Sequence, residues 1–306
     1  MKILPPNLEN MTAAASALQS GKLVGMPTET VYGIAANAFD EKAVHATFEA
    51  KGRPPENPLI VHIGKIDQLS RVAREFPKKA QLLADAFWPG PLTLVVPKMN
   101  DVPAIVTAGL DTVAIRMPVN LVARRLINRA GTPLSAPSAN KFMGLSPTTA
   151  QMIDPQILEH LDCVIDDGPC TVGIESTVLD LSTGVPTLLR PGAVTRQQIE
   201  ALIGEIQLGS REGERKSPGM YPKHYAPKTP VILVEQVEPH EAGLILRAGS
   251  RDQIEMPNDA KKYAQSLYGA LHKLDQLGLR AIYVEAPPQG ADWIAVWDRL
   301  LKIVSH

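Results

Sequence analysis

Several short segments of this 306-residue chain gather side chains able to handle anions. Lys51-Gly52-Arg53 is followed by Pro54, Pro55, Asn57 and Pro58, so two cations stand on a chain that prolines stiffen. Lysine supplies a compact charge there, and arginine a planar fork suited to phosphate or carboxylate. Pro27-Thr28-Glu29-Thr30-Val31-Tyr32-Gly33 places hydroxyls, a carboxylate and a phenol after a candidate strand, where open α/β sheets bind ligands. Ser135-Ala136-Pro137-Ser138-Ala139-Asn140-Lys141 is a small, polar run that lets backbone N–H groups approach an anion. Gly144, Ser146 and Thr148 follow it, with Ser146 as N-cap and Pro147 at the first helical position. Arg116 closes the run Thr112-Val113-Ala114-Ile115 and Arg190 the run Pro186-Thr187-Leu188-Leu189, and Gly173-Ile174-Glu175-Ser176-Thr177 adds further hydroxyls.

Each segment alone also reads as routine structure: a capped polar turn, a basic helix end facing the macrodipole, a serine-rich loop. His62, between Val61 and Ile63, reads as a core histidine as readily as a ligand-binding one. Together, Lys51, Arg53, Arg116 and Arg190 with the hydroxyls near strand ends are what a nucleotide site without a Walker loop requires. The chain has no G-x-x-x-x-G-K-[ST], no G-x-G-x-x-G after a strand, no G-x-S-x-G and no H-E-x-x-H. P-loop, dinucleotide-binding Rossmann, lipase-like and zincin readings therefore lack support.

Lys and Arg number 31 against 32 for Asp and Glu, so no global field draws the chain to nucleic acid or membrane. Any anion site must be a local cluster. Residues 1–6 lack the apolar core of a secretory signal, and no run approaches a membrane span. Cys163 and Cys170 are too few for a disulfide framework and read as packing residues, which points to a reducing cytoplasm.

Candidate strands fall at residues 22–26, 59–63, 92–96, 112–116, 163–166, 176–181 and 187–190, and candidate helices at 41–50, 67–87, 121–129, 147–161 and 195–203. Their irregular alternation predicts an α/β fold with a twisted mixed sheet and flanking helices. Glycines and prolines then punctuate a charged stretch without apolar periodicity. A second set follows: strands at 231–234, 244–247 and 281–285, with helices near 259–277 and 292–303. The chain thus divides into a domain at 1–205, a linker or lid at 206–229, and a small Rossmann-like α/β domain at 230–306. Trp293 and Trp297, four apart, read as a core stripe of that domain.

The segment 27–33, Lys51-Gly52-Arg53, Asn57-Pro58-Leu59, the run 135–140, Ser176-Thr177 and Leu189-Arg190-Pro191-Gly192 together resemble the YrdC-like threonylcarbamoyl-AMP synthases. Lys51-x-Arg53 with Ser138-x-Asn140 resembles that family's hallmark tetrad, and residues 217–227 resemble the connector of its longer, two-domain form. The resemblance implies an enzyme that forms threonylcarbamoyl-adenylate and pyrophosphate from threonine, bicarbonate and ATP with Mg2+. The product would pass to the tRNA threonylcarbamoyl transferase machinery, with weak tRNA contact of its own. It implies that Thr30, His62, Arg116, Ala136 and Ser176 line a threonine pocket. Arg53, Asn57, Thr112, Ser138, Asn140, Ser146 and Arg190 would hold ATP, with Tyr225 closing the pocket from the linker. Lys51 and Arg53 would be catalytic; the metal ligands stay unassigned. Tyr221-Pro222 departs from the family pattern of a basic residue followed by tyrosine, and Tyr225 is the tyrosine assigned to the nucleotide.

Two other classes fit parts of the pattern. An RNA-binding module would use Lys51, Arg53, Lys141 and Arg190, against which stand the neutral charge and an aromatic content of 5%. A carbamoyl-phosphate-handling or hydrolytic enzyme on the same domain would turn over ATP without threonine.

Overall fold

In a computed structural model, residues 3–209, 225–246 and 252–304 are described. Among them, eleven strands form one sheet, in the order Ile3–Leu4, Leu161–Ile165, Leu23–Met26, Gly33–Asn37, Leu134–Ser135, Ile60–His62, Thr112–Arg116, Leu92–Pro97, Thr177–Asp180, Thr187–Arg190 and Gln207–Leu208. Parallel and antiparallel pairs alternate along it without a regular pattern, as the irregular spacing predicts. Four parallel strands, Val231–Val234, Ile282–Glu285, Gly243–Ile245 and Gln253–Glu255, form a second sheet in that order.

Period-two alternation sorts the central strands into two faces. Val61, Leu94, Val96, Val113, Ile115 and Leu179 pack in one buried cluster with Phe48, Leu83 and Ile199 of the covering helices. Their neighbours Ile60, His62, Ala114, Arg116, Val178 and Ser176 point the other way, and four of these line a cleft: Ile60, His62, Arg116 and Ser176. The same alternation that buries one set thus delivers the other to the site. A further layer, Leu8–Gln19 with Leu121–Ala130, packs Leu18, Leu126 and Ile127 against Val24 and Met26.

Two expected helices are different in the structure. Residues 67–87 are split into a 3-10 turn, Ile66–Arg71, and the helix Lys78–Phe87, because Pro77 cannot sit inside a helix and instead precedes the second one. Residues 147–161 hold only the 3-10 turn Ala150–Met152 and the short helix Pro155–Leu158, capped by Asp154 rather than Ser146. Leu161 already belongs to a strand. The helix Leu8–Gln19 and the strands Gly33–Asn37 and Gln253–Glu255 are additional to the expected elements.

The second sheet is packed by the helices Ala260–Asp275 and Ile294–Ile303. Its core cluster, with Tyr263, Leu267, Tyr268, Val284, Trp293 and Leu300, also takes in Val31, Ile174 and Tyr225. Apolar burial therefore joins the second unit to the wall that carries the cleft. Trp293 stacks edge-on to Tyr263 at 5.5 Å, as a core residue.

Candidate active site

Local pairing brings the motif segments together. The helix Glu41–Lys51 ends at Gly52, whose φ of 60° is the left-handed conformation a helix terminus needs. The reversal leaves Lys51 in the last turn and starts Arg53 back across it, with Arg53 N–H donating to Phe48 O at 3.0 Å. The run 135–140 is zipped to the strand that follows Tyr32: Ala139 N–H donates to Tyr32 O and Ile34 N–H to Pro137 O, each at 2.8 Å. Phe142 N–H donates to Lys51 O at 2.9 Å, so this run and the helix end form one frame.

These segments enclose one cleft. Eleven of the fourteen expected residues line it: Thr30, Lys51, Arg53, His62, Arg116, Ala136, Ser138, Asn140, Ser176, Arg190 and Tyr225. Asn57, Thr112 and Ser146 do not. The Asn57 carbonyl accepts from Arg53 Nη2 at 3.2 Å, so it aims the guanidinium. Thr112 begins the strand that Arg116 ends, paired with Pro97. Ser146 is wholly buried and donates to Glu175 Oε1 at 2.6 Å.

Lys51 is 3% exposed, and its ammonium donates to the carbonyls of Ser138 at 2.5 Å and Asn140 at 2.6 Å. Burial first, then the neighbouring Arg53 charge, pushes its pKa well below the ordinary lysine value. An anion in the cleft would raise it again by direct charge attraction, so the site favours negative charge. Arg53 donates to Pro58 O at 3.0 Å and lies over the Phe48 ring. A β-bulge between Leu188 and Arg190 re-aims Arg190, which donates from Nε to Ser176 O at 3.0 Å and from Nη2 to Ser176 Oγ at 3.2 Å. Asn140 gives both Nδ2 hydrogens to carbonyls, Lys141 O at 2.7 Å and Gly144 O at 2.8 Å. Its amide orientation is therefore fixed, and its buried Oδ1 has no donor.

Arg116 and His62 are register partners on adjacent parallel strands. Arg116 donates to Thr30 Oγ1 at 2.8 Å and Gly90 O at 3.3 Å. Its Nη2 lies 2.6 Å from Glu29 Oε1, a charge contact off the hydrogen-bonding line. Two of the five guanidinium donors are thus engaged, one on Nε and one on Nη1, leaving one on Nη1 and both on Nη2 for a carboxylate. Burial, then the Arg116 charge, lowers the His62 pKa to about 3, so the ring is neutral at pH 7, with a buried Nδ1 that has no partner.

Tyr225, 1% exposed and with φ of 62°, joins the cleft from the segment after residue 224, while Ala226 N–H donates to Met143 O at 2.9 Å. Tyr221 lies outside the described residues. Two site-supporting residues escape the sequence reading. Tyr268 donates to Glu175 Oε2 at 3.0 Å, and Arg299 Nε to the same oxygen at 2.8 Å. The only local sign of the second is an arginine within the apolar stripe of Val296, Leu300 and Ile303. Cys163 and Cys170 are buried thiols that burial pushes up to about 11 and 12, as packing residues should be.

A family profile described as Telomere recombination, Sua5_yciO_yrdC, matches residues 16–192. A second, described as Threonylcarbamoyl-AMP synthase, C-terminal domain, matches residues 194–303. The solved structure of Escherichia coli YciO, 20% identical, shares the larger unit's fold with a TM-score of 0.53 over 63% of this chain and 94% of its own. Fold and cleft define an α/β protein of the Sua5, YciO and YrdC type. The threonylcarbamoyl-AMP synthase of Pyrococcus abyssi is 42% identical over 94% of this chain and 92% of its own length, and that of Bacillus subtilis 38% over 98% and 94%. P. abyssi Sua5 complexed with L-threonine superposes with a TM-score of 0.88, at 39% identity, covering 97% of this chain and 96% of that one. The chain belongs to the threonylcarbamoyl-AMP synthase family, in the form that carries the C-terminal domain.

Proposed function

We propose that this enzyme forms L-threonylcarbamoyl-adenylate and pyrophosphate from L-threonine, bicarbonate and ATP, as a nucleotidyltransferase serving threonylcarbamoyladenosine formation in tRNA. The observation that carries the reading is the convergence, in one cleft, of a cationic wall with a carboxylate-sized fork beside a neutral histidine. The name of the P. abyssi and B. subtilis relatives and the L-threonine bound to P. abyssi Sua5 support it.

Arg116 takes the threonine carboxylate with remaining donors on its two terminal nitrogens, held in place by Thr30 and Gly90 with the Glu29 charge alongside. Neutral His62 offers Nδ1 to the amino acid, and Ala136 and Ser176 shape the rest of that pocket. Lys51, Arg53, Ser138 and Arg190 receive the triphosphate, with Tyr225 against the nucleotide. Asn57 and Ser146 serve through Arg53 and Glu175 rather than by direct contact. The threonine amine and bicarbonate-derived CO2 give a carbamate, whose oxygen attacks the α-phosphorus and expels pyrophosphate. Phosphoryl-type transfers of this kind depend on positioning and charge neutralisation more than on covalent help from protein. A closed cleft also keeps the carbamate from water.

Mg2+ suits this donor set as an ion carried by ATP. Among the described residues no group of three or more His, Cys, Asp or Glu side chains gathers to hold a metal. The acceptors of Glu175 are taken, whereas the orphaned Asn140 Oδ1 is a hard oxygen suited to magnesium or its water. Bound there, the ion would offset triphosphate charge. Residues 1–205 are assigned here as the catalytic domain, 206–229 as the lid, of which 210–224 lie outside the described residues, and 230–306 as the C-terminal domain. Product passes to the transferase machinery in the cytoplasm, with weak tRNA contact; among the described residues no helix is long and apolar enough to cross a membrane. The test is mass spectrometry of products from ATP, threonine and bicarbonate, each omitted in turn. Loss of the adduct with every omission is the expected result; ATP hydrolysis independent of threonine refutes it.

A further inference from the structure

A cleft that takes a triphosphate has a carboxylate in its wall. Glu175 lines it alongside Lys51, Arg53 and Arg190. Burial pushes the Glu175 pKa up, but the charges of Arg299 and Arg190 and the Ser146 hydroxyl hold it at about 2, so the group is ionised at neutral pH. An unmatched negative charge there would oppose phosphates and compete for the cations that should meet them. Its partners come from far along the chain. Arg299, wholly buried on the helix Ile294–Ile303, donates to Glu175 Oε2 at 2.8 Å and to the Glu175 carbonyl at 3.2 Å. It also donates to Pro191 O, next to Arg190, at 3.0 Å, and its guanidinium lies 5.4 Å from the centre of the Tyr225 ring. Asp298 contacts Arg299 and is itself held by Lys302 at 2.8 Å, which fixes the guanidinium from behind.

We propose that Arg299 is a positioning residue for ATP: it neutralises Glu175 and braces Tyr225, so the C-terminal unit sets the electrostatics of the cleft's phosphate wall. This rests on the reading that the cleft takes ATP. With Arg299 gone and Glu175 kept, Arg190 and Lys51 are the cations left to answer the carboxylate, and they are withdrawn from the nucleotide. The threonine fork at Arg116 has its own partners, Thr30, Glu29 and Gly90, and is spared. A merely structural role would disturb both substrates together.

Steady-state kinetics of the full chain separate these outcomes. Arg299→Met should raise the KM for ATP about tenfold or more, while the KM for threonine stays within about threefold. The double variant Glu175→Gln/Arg299→Met leaves no unpaired charge and should return the KM for ATP to within about threefold of the parent, since buried pairs replaced together are well tolerated. If the parent chain makes no threonylcarbamoyl-adenylate, the functional reading itself fails. If the parent is active, an unchanged KM for ATP in Arg299→Met, or a parallel rise for both substrates that the double variant does not relieve, overturns the role of Arg299. Should Arg299→Met not fold, the double variant decides: a near-parental KM for ATP supports the proposal, and a tenfold rise overturns it.

Discussion

Lys51→Met tests the phosphate wall most directly. Methionine nearly matches the stem of lysine but removes the ammonium that holds the carbonyls of Ser138 and Asn140 at 2.5 and 2.6 Å. Loss of one preorganised electrostatic donor costs about 100- to 1000-fold in rate, or about 2.7–4 kcal/mol of transition-state stabilisation. The two carbonyls left without a donor cost about 1–3 kcal/mol each in stability. Relief of the desolvation that keeps Lys51 far below its ordinary pKa offsets part of that cost, so the variant should fold. The assay is threonine-dependent pyrophosphate release at saturating ATP and threonine, with a thermal melt of the same preparation. A folded Lys51→Met whose kcat lies within about tenfold of the parent would refute the reasoning, because the cleft would then be doing its chemistry without the ammonium of its phosphate wall.

Four other outcomes follow from the same geometry, that for Arg299 given above. Arg116→Lys should raise the KM for threonine about 10- to 100-fold and leave the KM for ATP near the parental value, since a point charge cannot replace the fork; equal effects on both substrates would count against it. His62 titrates near 6.5 when unfolded but only at about 3 when folded, so the unfolded state binds more protons between these values and stability falls as pH drops from 6.5 toward 3. Urea unfolding at several pH values should show a shallower acid slope for His62→Gln; identical slopes would disprove the buried neutral ring. A Cβ at Gly192 would stand 2.5 Å from Thr177 N and 2.8 Å from Ser176 C, so Gly192→Ala must push apart the strands that carry Ser176 and Arg190. It should cost about 1–3 kcal/mol in denaturant unfolding and weaken both substrates; a variant unchanged in both would show that the backbone yields without cost.

The chain's local chemistry already marks much of the fold. The strands Thr112–Arg116, Thr187–Arg190 and Val231–Val234 are read from short apolar runs to the residue, because a buried strand needs little beyond continuous apolar side chains. Gly33–Asn37 hides in the small residues Gly-Ile-Ala-Ala-Asn, which have weak strand preference and are held by pairing with Leu23–Met26 and Leu134–Ser135. Ser146-Pro147 carries a sound helix-start signal that tertiary structure overrides, since the hydroxyl is claimed by Glu175, 29 residues away.

Residue types and spacing by themselves determine that the chain is an α/β protein with a cationic, hydroxyl-rich set at its strand ends, and they resemble one family closely enough to name its chemistry. Which cations face a common space is decided only by folding. Register sets His62 beside Arg116, a bulge turns Arg190, and the αL turn at Gly52 swings Arg53 back. Least visible in the chain is the Glu175–Arg299 pair, whose members stand 124 residues apart. A buried charge is tolerable only when a partner meets it, and no local pattern records a partner brought in by another domain.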